Sequence, residues 1–134
     1  MFSVEVRDRI MIAHSLPHPS FGPAQQMHGA TFVVDVAFSR KELTPQNIIV
    51  DIAAALDVLG QILKPLRYQN LDILPQFKGK LTTTEFLCKY IFDRLVEAAV
   101  SGALGPDGRT LSTLRVTLSE TDLARASYEG PLSD

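Results

Sequence analysis

Apolar and polar residues alternate from the start of the chain, with Phe2, Val4 and Val6 set against Ser3, Glu5 and Arg7. Ile10, Ile12 and His14 continue the even positions, so a period of two predicts a strand over Phe2–His14 that ends on a histidine. Pro17, Pro19, Gly22 and Pro23 make Ser15–Gln26 a loop. A second strand is expected over Met27–Arg40, whose even positions read His28, Ala30, Phe32, Val34, Val36 and Phe38. One imidazole thus heads a stripe of core residues, and the two strands form a hairpin with a long connection. Ile48–Val50 reads as a short extended piece after the turn at Pro45 and Asn47.

The period then changes. Ile52, Ala55, Leu56, Leu59, Ile62 and Leu63 recur at helical spacing, and Asp51 is placed to cap a helix over Ile52–Lys64, just before Pro65. Leu66–Lys80 is a Pro- and Gly-containing loop. Thr82-Thr83-Thr84-Glu85 has capping-box spacing, with Thr82 at the cap. The helix that follows carries Phe86, Leu87, Tyr90, Ile91, Leu95, Ala98 and Ala99 on one side, and Gly102 is placed to end it. After a turn at Gly105-Pro106-Asp107-Gly108, Leu111–Glu120 is a strand with Leu114, Val116, Leu118 and Glu120 on one face, and Ala126–Glu129 adds a short last strand. The order β-β-α-α-β-β describes a single α+β domain over residues 1–134.

Composition narrows the function classes. The chain is 46% hydrophobic and 21% charged, with a net charge of −2, which leaves no electrostatic footprint for nucleic acid. No stretch approaches ~20 apolar residues, so no membrane span is expected. Cys88 is the one cysteine, and Glu5, Arg7, Asp8 and Arg9 interrupt any apolar N-terminal run, so a cytoplasmic protein is the expectation.

Few residues invite chemistry. His14 and His28 lie at neighbouring strand ends and can converge on a metal such as zinc. They also fit as two polar residues at a sheet end, each satisfied by backbone. His18 is a possible third nitrogen, although Pro17 and Pro19 favour a surface position. Glu120 ends an apolar stripe, where a carboxylate is either solvated or grips the paired N–H groups of a ligand. Thr82, Thr83 and Thr84 fit helix capping, and a helix N-terminus also offers free N–H groups. Arg67, Tyr68, Asn70 and Asp72 form a polar cluster without metal spacing, and Cys88 reads as a core thiol.

These residues resemble the 6-pyruvoyl-tetrahydropterin and 6-carboxy-tetrahydropterin synthase family. The anchors are Ala13-His14, His28-Gly29-Ala30-Thr31-Phe32, Val50-Asp51, Thr83-Thr84-Glu85 and Glu120-Thr121-Asp122. The resemblance implies the tunnelling fold, a four-stranded antiparallel sheet with two helices on one face. It also implies closure into a homo-oligomer, a trimer or hexamer. It implies zinc on His14 and His28, with Ala30 standing where the family has its third histidine. Glu120, Thr83 and Thr84 match the family's ligand-binding residues and imply a pterin or purine-like small molecule. Pro23-Ala24-Gln25-Gln26 carries neither the thiol nor the carboxylate expected before the zinc motif. Arg67-Tyr68 stands where the family has Asp-His, so Tyr68 becomes the candidate proton carrier. The expectation is a divergent homologue that binds a pterin-like ligand and has an altered, lyase-type activity on a reduced pterin side chain. The alternative is a non-catalytic pterin- or purine-binding oligomer.

Overall fold

The computed structural model describes residues 1–132. Four strands form one antiparallel sheet in the order β1-β2-β3-β4: β1 (Phe2–His14), β2 (His28–Arg40), β3 (Thr113–Ser119) and β4 (Arg125–Pro131). Two helices, α1 (Ile52–Leu63) and α2 (Thr84–Ser101), lie between β2 and β3 in sequence. Both pack on the same face of the sheet, α1 against β1 and α2 against β3 and β4.

Parity along the strands explains the core. In an antiparallel ladder, cross-strand partners share a face. Val6, Val36 and Val116 form one buried row, with Phe38–Leu114 and Val34–Leu118 beside it and Ile10–Phe32 towards the hairpin loop. The odd positions form the opposite face, which no helix covers. There Arg7 grips Asp35 with two parallel hydrogen bonds of 2.7 and 3.0 Å.

The helices start where the sequence indicates, with two refinements. Asp51 caps α1 by accepting from Ala54 N at 3.1 Å. The buried side of α1 is Ala55, Val58, Leu59 and Leu63, whereas Ile52 and Leu56 are 51% and 44% exposed. The helix is therefore rotated from the expected stripe, because Val58 and not Leu56 meets the sheet. The cap of α2 is Thr83, one residue later than expected, and its hydroxyl accepts from Phe86 N at 3.1 Å. Gly102 ends α2 with a φ of 93°. Cys88 and Phe92 join its buried side, and burial pushes the Cys88 thiol up to about 11.

Ile48–Val50 is a bend rather than a strand. The loop after α1 is a chain of short 3-10 turns, and it is less passive than its polar residues suggest. Tyr68 N donates to Met11 O at 2.7 Å, and Ala13 N donates to Gln69 O at 3.0 Å. Arg67 pairs with Asp8 at 2.7 Å and also donates to Arg9 O. This polar stretch therefore straps the outer edge of β1 near its end.

Candidate cleft at the hairpin end of the sheet

The register of β1 and β2 sets His14 directly across from His28. Their rings meet edge to face with centroids 4.6 Å apart and an interplanar angle of 66°. His14 is only 3% exposed, and its Nδ1 lies 3.0 Å from the hydroxyl of Thr82, which is itself 1% exposed. His28 Nδ1 lies 2.8 Å from Gln26 O. A carbonyl can only accept, so His28 carries a proton on Nδ1. Burial pushes the His14 pKa down, the neighbouring His28 pushes it further, and Asp72 and Glu120 pull it part of the way back. Burial and the neighbouring ring thus favour the neutral imidazole at His14.

Two other elements complete the cleft. The first turn of α2 brings Thr83, Thr84 and Glu85, whose backbone N–H groups lack partners within the helix. Glu120 follows the last residue of β3 and opens a tight turn in which its N donates to Ala124 O at 3.2 Å. It is exposed, and its carboxylate accepts no hydrogen bond from the described residues. The loop between β1 and β2 folds back so that Leu16, Phe21 and Ala24 form the remaining wall.

His14, His28, Thr83, Thr84 and Glu120 therefore line one cleft of about 250 Å³. A second space of about 390 Å³ shares Thr84, Glu85 and Glu120 and continues to Ala124, Arg125 and Ala126. Tyr68 is not part of the cleft. It stands 80% exposed with a φ of 57° beside the β1 edge. His18 is also elsewhere, because its Nδ1 is engaged by Ser20 and caps the turn that follows.

The donor set can be weighed against the zinc implied by the resemblance. His14 and His28 each have Nε2 left over, and Ala30 offers a methyl group. Among the described residues no three His, Cys, Asp or Glu side chains are grouped to hold a metal. Catalytic zinc takes three protein ligands, so this cleft is one short and does not fit that ion as it stands.

A sequence model of the family described as 6-pyruvoyl tetrahydropterin synthase matches residues 3–131. The chain belongs to this family. The fold agrees. A Caenorhabditis elegans 6-pyruvoyl tetrahydropterin synthase superposes with a TM-score of 0.79 at 23% identity, covering 96% of this chain and 95% of that one. The Plasmodium vivax enzyme of the same name superposes with a TM-score of 0.76 at 16% identity, covering 98% and 99%. An uncharacterized protein from Wolinella succinogenes gives a TM-score of 0.69 at 15% identity, covering 95% and 97%. No curated protein sequence matches the chain. The four-stranded tunnelling fold expected from the sequence is thus the fold observed, in a divergent member of the 6-pyruvoyl tetrahydropterin synthase family.

Several lining residues had no signal of their own in the sequence. Thr82 reads as a helix cap but instead holds His14. Leu16, Phe21 and Ala24 are loop residues whose pattern says nothing about a wall. The proline-rich composition marks the loop and not its direction.

Proposed function

We propose that this member of the family binds a pterin-like bicyclic ligand in the cleft and acts on its reduced side chain by a lyase-type step unlike the standard synthase reaction. The observation that carries the reading is the unpartnered carboxylate of Glu120 at the mouth of a cleft that also holds the free N–H groups of α2. An ionised carboxylate takes two parallel N–H donors from a 2-amino-pyrimidinone edge, and the helix N-terminus accepts the ligand's oxygen. Thr83 and Thr84 position that oxygen.

The reaction, in this reading, uses the two imidazoles. With one zinc ligand missing, the Nε2 lone pairs of His14 and His28 act as proton acceptors towards the side chain. Tyr68, exposed and outside the cleft of its own chain, serves a neighbouring copy as proton carrier. The unpaired outer edges of β1 and β4 support such a homo-oligomer. Standard turnover of dihydroneopterin triphosphate is expected to be undetectable. Pro23–Gln26 holds no thiol or carboxylate, Arg67-Tyr68 replaces an Asp-His pair and Ala30 replaces a metal ligand, and each proton-transfer group alone supplies ~10²–10⁴ in rate.

Equilibrium titration with a pterin and with guanine tests the binding half. Micromolar binding is expected, weakened roughly 10- to 100-fold by Glu120→Gln, which removes charge-assisted hydrogen bonds. No binding of either ring sinks the reading. The catalytic half fails if Tyr68→Phe leaves turnover of every accepted pterin unchanged. A non-catalytic binder is the second reading, favoured by the missing proton relay, since Arg67-Tyr68 stands in place of Asp-His. Pterin binding without turnover of any reduced pterin would select it.

A further inference from the structure

The loop between β1 and β2 holds one aromatic ring against the cleft. Its two 3-10 turns, over Pro19–Gln25, meet at Gly22, whose φ of 52° and ψ of −127° suit glycine alone. Nothing lies within 4 Å of the Cβ that a side chain would add there, so conformation and not space calls for glycine. The loop is tied down on both sides of this kink. Leu16 N donates to Ala24 O at 3.0 Å, Phe21 N to His18 O at 3.1 Å and Gln26 N to Pro23 O at 3.2 Å. Gln25 Nε2 donates to Gly22 O at 3.1 Å.

Phe21 is the one large apolar side chain of Pro19–Gln25, yet no residue of that stretch is buried. Its ring partner among the described residues is His18, edge-on at 6.1 Å. The core is therefore not what uses this ring. Phe21 stays half-buried and lines the same cleft as Glu120, with Leu16 and Ala24 beside it. Glu120 is exposed, and contacts to a ligand's edge leave its ring faces in water. A ring face that sheds water on Phe21 supplies what the edge contacts do not.

We infer that Phe21 is the stacking wall of the ligand site, which selects a flat bicyclic ring over a single ring with the same N–H edge. This rests on the proposed pterin-like ligand and deepens it. Isocytosine carries the same 2-amino-pyrimidinone edge on one ring, so comparing it with pterin isolates the stacked area.

The test uses the full chain. Phe21→Ala should weaken pterin binding about tenfold and change isocytosine binding less than about threefold, with the melting temperature held. Gly22→Ala, which strains the kink without a clash, should weaken pterin in the same direction. Phe21→Trp should bind pterin within about threefold of the parent. The chain has no native tryptophan, so that indole reports directly, and pterin should quench its emission. Adding Glu120→Gln should remove the quenching at the same pterin concentration. If Phe21→Ala binds pterin as the parent does while Glu120→Gln does not, the stacking wall is wrong and the ligand class stands. If the parent binds no pterin, the ligand class itself falls.

Discussion

The cleft has two halves of different origin, and they have fared differently. The recognition half comes from the first turn of α2 and the end of β3. It needs one carboxylate, Glu120, and backbone N–H groups that any helix start supplies. The imidazole half comes from the paired ends of β1 and β2. It needs an exact count of donor side chains, and one methyl group at Ala30 breaks that count. Backbone-based recognition tolerates sequence change, whereas a ligand set does not. The halves are also adjacent in the chain, since Thr82 holds His14 and Thr83 caps α2. In the proposed reading, ring binding persists on a scaffold whose chemistry differs from the standard synthase reaction.

The sharpest way to break the contrast is to restore the imidazole count. Ala30 shares the face of His28 two residues away. Ala30→His should raise zinc affinity at least about a hundredfold and bring zinc to about one per chain in elemental analysis, against far less in the parent. Unchanged zinc content would mean that Ala30 is not what separates the halves. Next in size, Glu120→Gln should cost roughly 10- to 100-fold in pterin affinity, whereas His28→Ala should change it less than about threefold. Comparable losses in both, read by the same titration, would mean that the halves are not independent.

Thr82→Val should cost about 1–3 kcal/mol of stability by leaving the buried His14 Nδ1 without its partner, with pterin affinity unchanged. Chemical denaturation measures the first quantity and titration the second. The smallest effect is on pH. Burial, then His28, lowers the His14 pKa in the folded state, so the unfolded chain binds the proton more readily. The stability from this group is complete above the unfolded value of about 6.5 and is lost as pH falls from there through the folded pKa. Metal-free protein should lose melting temperature over that interval, and His14→Gln should lose less. A parent curve parallel to that of the variant would refute the assignment.

The sheet was legible because burial on one face writes its parity into the strands, as Val6, Val36 and Val116 illustrate. Helix rotation was harder to read. Ile52, Leu56 and Val58 are all apolar, and only the position of the sheet decides that Val58 goes inside. At the site, Glu120 betrayed itself as an acid ending an apolar stripe. Thr82 did not, since its partner His14 is far away in sequence and a threonine before a helix already has a local explanation. The strap at Arg67–Asn70 was hidden for the same reason, because its partners are backbone groups of β1.

That strap also works as a ruler. Arg9, Met11 and Ala13 turn their outward backbone groups to Arg67, Tyr68 and Gln69, so the same parity leaves Ser3, Glu5 and Arg7 facing outward with nothing beyond them among the described residues. The open stretch runs from Phe2 to Asp8 and is as long as β4, the other open edge. Any strand that joins β1 must stop where the strap begins. In the proposed homo-oligomer, the loop that gives Tyr68 its position would set how far two copies of the sheet can slide past one another.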